Sequence, residues 1–440
     1  MENRMKRLRQ IFAFLSGLLI FFMLLGICFA AHDEEKKPVF DVIRINAAIT
    51  PPVADYILQS LDAAGKAGAD GLIILLDTPG GLDLAMRDIV KGILGARIPV
   101  IVYVSPSGAR AASAGMIITI AAHVAAMAPG TNIGAAHPVG IGIGGGSDKV
   151  MMEKVENDAV AYAVSIARQK GRNVEWVEKA VRKSESIPAD EARQTRVVDW
   201  VAGDLNALLE MMNDQEVQIQ GGVKIIKTKG GILRDRKMNL RQKVLTTLSD
   251  PNIAYILLLV GLAGLYFEFA HPGVILPGVI GGISLIMSFF ALQTLPVNYA
   301  GIALILFGLI LFIAEIKVIS HGLLSLGGVI SLFLGSLLLF DSPEPALRVA
   351  LKVMIPALII TSSFFIFIVS LVIKAQVRKK HTGIDELIDA EGIALTDIHE
   401  SGKTFIRGEY WDSWSEHPIE KGEKVRVERV EGMKIKVTKK

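Results

Sequence analysis

Runs of uncharged apolar residues, and the spacing of apolar positions between them, divide the chain into four parts. At the start, Arg4, Lys6, Arg7 and Arg9 precede an uncharged stretch from 11 to 31, followed by the acidic His32-Asp33-Glu34-Glu35. A positive start, an apolar middle and the small residues Ala30 and Ala31 before a polar segment predict a signal peptide over 1–31. An uncleaved anchor helix is the alternative. Under either reading the residues that follow are exported.

Residues 32–251 alternate between strand-like and helix-like segments. Short apolar runs at 42–45, 71–77, 100–104 and 124–128 read as strands. Between them, 51–65 carries Val53, Ile57, Leu58 and Leu61 at helical spacing, and 82–94 and 111–122 also fit helices. Longer helices fit 150–171 and 174–183. Strands alternating with helices of this length predict an α/β domain built on a largely parallel sheet.

Residues 252–374 form a membrane domain. Positions 272–314 carry no charge over 43 residues. As one helix they would be roughly 65 Å long, about twice the hydrocarbon core, so they must fold back. Gln293-Thr294-Leu295-Pro296-Val297-Asn298 is the natural hinge. About five spans are expected, near 253–270, 273–292, 299–315, 318–340 and 353–373, and the Gly- and Pro-rich second could be re-entrant. Lys374, Arg378, Lys379 and Lys380 follow the last span and predict a cytoplasmic C-terminus. An exported domain at the other end then requires an odd number of spans. The expectation is a multi-pass protein of the cell (inner) membrane, with 32–251 extracytoplasmic.

The tail, 381–440, alternates charged and apolar residues in Lys424-Val-Arg-Val-Glu-Arg-Val and Met433-Lys-Ile-Lys-Val-Thr, with Glu431-Gly432 as a hairpin turn. That is the period of half-buried strands, and about five short strands in 60 residues fit a small all-β, OB-like barrel. Trp411 and Trp414 read as core residues rather than a stacking platform.

Composition narrows the chemistry. Lys+Arg 47 against Asp+Glu 44 leaves a net charge of +3, and no basic block stands in the body of the chain, which argues against nucleic acid. The single cysteine, Cys28, lies in the apolar start, so no intramolecular disulfide, CxxC site or thiol nucleophile is available. His123 and His137 are too far apart for a local zinc motif, and neither a metal nor a cofactor is expected.

A serine nucleophile remains. Ser113 stands among small residues in Arg110-Ala111-Ala112-Ser113-Ala114-Gly115, just after a strand, where a helix N-terminus would aim free N–H groups at an oxyanion. On spacing alone, a serine in a tight helix–sheet contact fits equally. Asp77-Thr78-Pro79-Gly80-Gly81 is either a turn with accessible amides or an ordinary strand-to-helix connection. Gly140-Ile-Gly-Ile-Gly-Gly-Gly-Ser147 has the wrong spacing for a nucleotide loop and reads as a loop flanking the cleft.

These motifs together carry a resemblance. Asp77-Thr-Pro-Gly-Gly81, Gly108-Ala-Arg-Ala-Ala-Ser113-Ala-Gly115, the segment from Met127 to His137-Pro138, Lys154-Val-Glu-Asn-Asp158 and Gly171-Arg-Asn-Val-Glu-Trp176 resemble the long-form NfeD family. Glu391-Gly392, Gly408-Glu-Tyr-Trp411 and Ile419-Glu-Lys-Gly422 extend the likeness into the tail, so it covers nearly the whole chain. The exported domain of that family is similar to the ClpP and signal-peptide-peptidase class, on a ClpP/crotonase-like α/β fold.

The resemblance implies a serine endopeptidase with a Ser–Lys dyad. Ser113 matches the nucleophile and Lys154 the general base, Gly81 and Ala114 the oxyanion amides, and Gly80 and His137 the substrate-facing positions. A lysine base must be neutral, which desolvation favours, and Val150, Met151, Met152 and Val155 could supply that apolar setting. His137 is the rival base, since ClpP itself uses a histidine. Some relatives carry an aspartate where Ser184 stands, so no third member is assigned. The resemblance also implies a stomatin-like membrane protein as partner or substrate, the lipid bilayer as setting and a homo-oligomer. The alternative is a non-catalytic membrane scaffold that organises stomatin-like assemblies.

Overall fold

A computed structural model of the chain describes residues 5, 12–21, 37–138, 149–270, 273–318, 320, 322–340, 342, 347–377 and 387–440. The expected signal cleavage region and the glycine-rich loop at 140–147 lie outside the described residues. An apolar helix, α1 (Phe12–Phe21), stands within the proposed signal. The chain forms two compact units, one of 1–315 and 319–365, the other of 316–318 and 366–440.

In the first unit the α/β part begins with β1 (Val39–Asn46), α2 (Pro51–Lys66), β2 (Gly71–Asp77), α3 (Asp83–Leu94) and β3 (Val100–Val104). It continues with β4 (Arg110–Ala112), α4 (Ala114–Ala121), β5 (Val124–Met127), β6 (Asn132–Gly134), α5 (Lys149–Gln169), α6 (Val174–Arg182), β7 (Ser186–Pro188), α7 (Ala189–Gln194), β8 (Trp200–Val201) and α8 (Leu205–Met212). The hairpin β9 (Gln215–Ile219) and β10 (Gly222–Ile226) precedes β11 (Ile232–Asp235). The main sheet has the order β11-β1-β2-β3-β5-β8, with every neighbouring pair parallel.

Its central strands are continuous apolar runs because helices or loops cover both faces. In β2, Leu72, Ile73, Ile74 and Leu76 are all fully buried. Ala85, Met86, Ile89, Val90 and Ile93 of α3 form one helical stripe toward that core. A second sheet, β4-β6-β7, sits at the end of the first. It differs from the sequence expectation of one helix over 111–122. Arg110–Ala112 instead pair with Asn132–Gly134, and this non-local ladder delays the helix to Ala114.

Below the sheet, Arg172 is buried and binds Asp199 at 3.0 and 3.2 Å, together with the carbonyls of Ile120, Ala122 and Val197. Nearby, His123 Nδ1 accepts the Val100 N–H at 3.1 Å. Burial, reinforced by the Lys170 charge, pushes the His123 imidazole down to about 3.

The same unit contains α9 (Leu240–Leu248), α10 (Pro251–Ala270), α11 (Ile275–Thr294), α12 (Tyr299–Lys317), α13 (Leu323–Leu338) and α14 (Leu351–Val377), whose last part belongs to the second unit. Pro251–Phe269, Ile275–Thr294 and Leu351–Leu371 are long and apolar enough to cross a membrane, while Tyr299–Glu315 and Leu323–Leu338 are shorter apolar helices. Small residues let the backbones approach: a Cβ on Gly264 would lie 2.5 Å from the Pro277 carbonyl oxygen, and one on Gly335 2.7 Å from the Ile305 nitrogen. Tyr255 and Ser336 share a buried 2.9 Å hydrogen bond across the bundle.

In the second unit, β12 (Glu391–Ala394), β13 (Gly402–Ile406), β14 (Glu409–Trp414), β15 (Lys424–Glu431) and β16 (Lys434–Lys439) close into a barrel in the order β12-β13-β14-β16-β15. Val425, Val427, Ile435 and Val437, the apolar members of the alternation, are fully buried. Trp411 packs against this core, whereas Trp414 lies under the Lys436 ammonium at 5.4 Å.

The His123 environment makes a pH prediction. The folded imidazole stays neutral down to about pH 3, while the unfolded one takes up a proton near its ordinary value of 6.5. Stability is therefore complete above pH 6.5 and falls as pH drops below it, by on the order of 2 kcal/mol between pH 7 and 5. His123→Asn keeps an acceptor for the Val100 N–H and removes the titration. Thermal unfolding of the solubilised chain should lose pH dependence in that variant over this window.

Candidate functional site

The site is built where β2 ends. Asp77 accepts the Arg110 N–H at 3.1 Å, Thr78 N–H donates to the Arg110 carbonyl at 2.8 Å, and Ala112 N–H donates to the Thr78 carbonyl at 3.1 Å. These bonds stitch β4 to the edge of the main sheet and carry the chain directly to Ser113. There the backbone turns sharply, at φ 51° and ψ −115°, a conformation that residues with a Cβ rarely adopt. The Ser113 N–H donates to the Gly134 carbonyl at 2.9 Å, and α4 starts at the next residue. A strained turn between a strand and a helix projects a serine hydroxyl away from its own backbone, into open space.

A second loop approaches the same point. Ile49 N–H donates to the Gly80 carbonyl at 2.7 Å and Leu82 N–H to the Ile49 carbonyl at 2.8 Å, which presses Gly81 onto Ile49. A Cβ at Gly81 would lie 2.2 Å from the Ile49 carbonyl oxygen, so only glycine fits. Across the site, a Cβ at Gly115 would lie 2.4 Å from the Thr78 methyl, which lets α4 rest against the end of β2. Among the described residues, the amides of Gly81 and Ala114 are both left out of the backbone hydrogen bonding.

Helix α5 forms the opposite wall. Arg87 on α3 donates to Asp83 at 2.8 Å and to Asp158 at 2.6 Å, and its guanidinium sits 4.3 Å over the Tyr162 ring. Burial opposes the Arg87 charge, but the bonds to Asp158 and Asp83 outweigh it and raise its pKa above the ordinary value. Arg182 on α6 reaches Glu156 at 3.0 Å and Asn157 at 3.1 Å. Two guanidinium groups from two helices thus fix the part of α5 that carries Lys154.

Between these walls lies a cleft of about 470 Å³, which Ser113, Ala114, Gly81, His137 and Lys154 all line. Gly80 is adjacent in the chain but lies outside the lining. His137 donates Nδ1–H to the Val181 carbonyl at 2.9 Å, since a carbonyl can only accept. Leu82, Met86, Ile117, Val155 and Ala159 give the cleft an apolar floor.

Of the chain neighbours expected to give Lys154 an apolar setting, Val155 lines the cleft with it, whereas Val150, Met151 and Met152 lie outside the lining. Val150 is 56% exposed and Met151 59%, and Lys154 itself is exposed. The reason is helical phase: Val160, Ala163, Ile166 and Ala167 occupy the core face of α5. Asp83–Arg87 and Glu178–Arg182 each stand four residues apart, a recognisable helical spacing, but the bonds from Arg87 to Asp158 and from Arg182 to Glu156 and Asn157 have no local signal in the sequence. Ser342 and Leu347, from the segment between α13 and α14, also line the cleft, and no local signal points to them.

Three family models match: "NfeD1b, N-terminal domain" at 39–221, "NfeD integral membrane domain" at 252–371 and "NfeD-like C-terminal, partner-binding domain" at 384–439. "Membrane-bound protease PH1510" of Pyrococcus horikoshii is 34% identical over 433 residues, covering 96% of this chain and 98% of its own. "Membrane protein NfeD1b" of Bacillus subtilis is 30% identical over 456 residues, covering 97% and 99%. The solved "1510-N membrane protease specific for a stomatin homolog from Pyrococcus horikoshii" is 33% identical, with a TM-score of 0.43, and covers 49% of this chain and all of its own. Matched along nearly its whole length by these relatives, the chain is a membrane protein and belongs to the NfeD family in its long form.

Proposed function

We propose that the chain is a membrane-anchored serine endopeptidase that cuts apolar segments of membrane-associated proteins. The observation that carries this reading is Ser113, held in a strained turn at the N-terminus of α4 and facing an apolar cleft that also contains Lys154 and the amides of Gly81 and Ala114. A relative 34% identical over nearly the whole chain bears the name of a membrane-bound protease, which supports the same reading.

In this mechanism Ser113 Oγ attacks the scissile carbonyl while neutral Lys154 takes its proton. The carbonyl oxygen becomes an oxyanion held by the Gly81 and Ala114 N–H groups, with the N-terminal end of the α4 dipole behind them. Lys154 then returns the proton to the leaving amine and, neutral again, takes a proton from the water that releases the acyl group from Ser113. Lys154 is exposed, and an apolar segment laid across the cleft would exclude water from around it. Substrate preference and base activation thereby become one property. Gly80 shapes the entry turn, and His137 faces the substrate with its Nδ1–H tied to Val181.

The family resemblance makes a stomatin-like membrane protein the proposed partner or substrate. Lys374, Arg378, Lys379 and Lys380 after the last apolar run support a topology with the peptidase part outside, the barrel in the cytoplasm and five helices across the bilayer. A second reading, a non-catalytic scaffold, draws on the exposed Lys154 and on the match of 384–439 to a partner-binding domain.

Cleavage of apolar peptides by the full chain in detergent separates the two readings. Ser113→Ala and Lys154→Met should each lower kcat/KM by at least about a thousandfold. Activity that survives Lys154→Met but disappears in His137→Ala would transfer the base to His137. Absence of cleavage by the wild type in both micelles and liposomes would favour the scaffold. Desolvation by substrate makes a further prediction for peptides. Replacing the apolar residue that covers Lys154 with serine should lower kcat itself by about tenfold or more, and a change confined to KM would oppose that role.

A further inference from the structure

The segment between the two larger family matches, 222–251, has a definite structure. β11 adds to the edge of the main sheet beside β1, in register from Val39–Ile232 to Val42–Asp235. Asp41, with no exposed surface, receives Arg234 at 2.6 Å and also binds Arg236, and Tyr56 donates to the Arg236 carbonyl at 2.5 Å. Helix α9 then begins with a reciprocal cap between Asn239 and Gln242, and the Gln242 side chain also reaches Gln59 of α2 at 2.9 Å. At its other end, Ser249 meets Thr294 of α11 at 3.3 Å, and Asn252 accepts the Ala350 N–H at 2.9 Å. This connector is bound to the α/β part on one side and to the outer ends of three apolar helices on the other.

One consequence appears at the cleft. Ser342 and Leu347, which stand between α13 and α14, line the same space as Ser113 and Lys154, and each is only 3% exposed. Arg348 Nε, next to Leu347 in the chain, donates to the Ser342 carbonyl. Leu347 thus presents an isobutyl group to a cleft otherwise floored by Leu82, Ile117 and Val155.

We propose that Leu347, a residue of the membrane domain, is a specificity-determining wall of the peptidase cleft and limits the size of the apolar side chain that packs beside Ser113. The proposal rests on the peptidase reading above and adds that the membrane domain completes the substrate site. Shortening the wall enlarges that subsite; widening it excludes large side chains. One methylene in an apolar pocket discriminates by roughly tenfold or more, so the effect is measurable.

The test uses the full chain and has two arms. In a Cys28→Ser background no other cysteine exists, so Leu347→Cys with Val155→Cys reports proximity alone when treated with a short bis-maleimide. An intrachain cross-link in membranes is expected, and its absence would overturn the placement. In the second arm, peptides carrying Ala, Val, Leu or Phe beside the cleaved bond are compared. Leu347→Trp should lower kcat/KM for Phe by about tenfold and leave Ala within about twofold, whereas Leu347→Ala should shift preference toward Phe. Leu347→Val, the milder change, should shift it the same way by less. An unchanged size profile in all three variants, with the cross-link intact, would overturn the specificity role. If the cross-link forms but the wild type cleaves no peptide, the peptidase reading fails, and the specificity role falls with it.

Discussion

The backbone turn at Ser113 is the constraint on which the site depends. A residue with a side chain is held at φ 51° only because its neighbours leave no alternative. β4 is bound to the end of β2 through Asp77 and Thr78, and the Ser113 N–H is bound to Gly134 of β6. Two strands of the second sheet, β4 and β6, therefore hold this turn. Glycine at 115 lets α4 close against Thr78, which fixes both the serine and the first free amide of the helix.

The opposite wall is held by charge rather than by backbone pairing. Arg87 and Arg182 grip Asp158, Glu156 and Asn157, which follow Lys154 by two to four positions on α5. A largely exposed ion pair contributes little by itself, but two bonded guanidinium groups from different helices define a position. The resulting cleft has an apolar floor, with Lys154 exposed on its wall.

Much of the fold was legible in the sequence because the governing patterns are local. Strands buried on both faces show as unbroken apolar runs, spans as long uncharged stretches, and the barrel as period-two alternation in Lys424-Val-Arg-Val. The start of α4 was misplaced because three residues with helical composition are captured by a ladder to Asn132–Gly134. Ser113, Gly81 and Ala114 could be named from the resemblance, whereas composition alone left Ser113 equally consistent with a packing role. The Arg87–Asp158 bond spans 71 residues. Leu347 lines the same cleft as Ser113 although 234 residues separate them in the chain. Such contacts have no signature along the chain, since they follow from packing that only the complete fold defines. Val150 and Met151 differ for the opposite reason: they are neighbours of Lys154 in sequence but lie off the core face of the helix.

If Ser113 forms the acyl-enzyme, a fluorophosphonate bearing an apolar peptide should modify the full chain at that residue. Intact-mass and fragment-ion analysis should then show a single adduct per chain, on Ser113, absent from Ser113→Ala. Cleavage of apolar peptides by a wild-type chain that carries its adduct on another residue would contradict it.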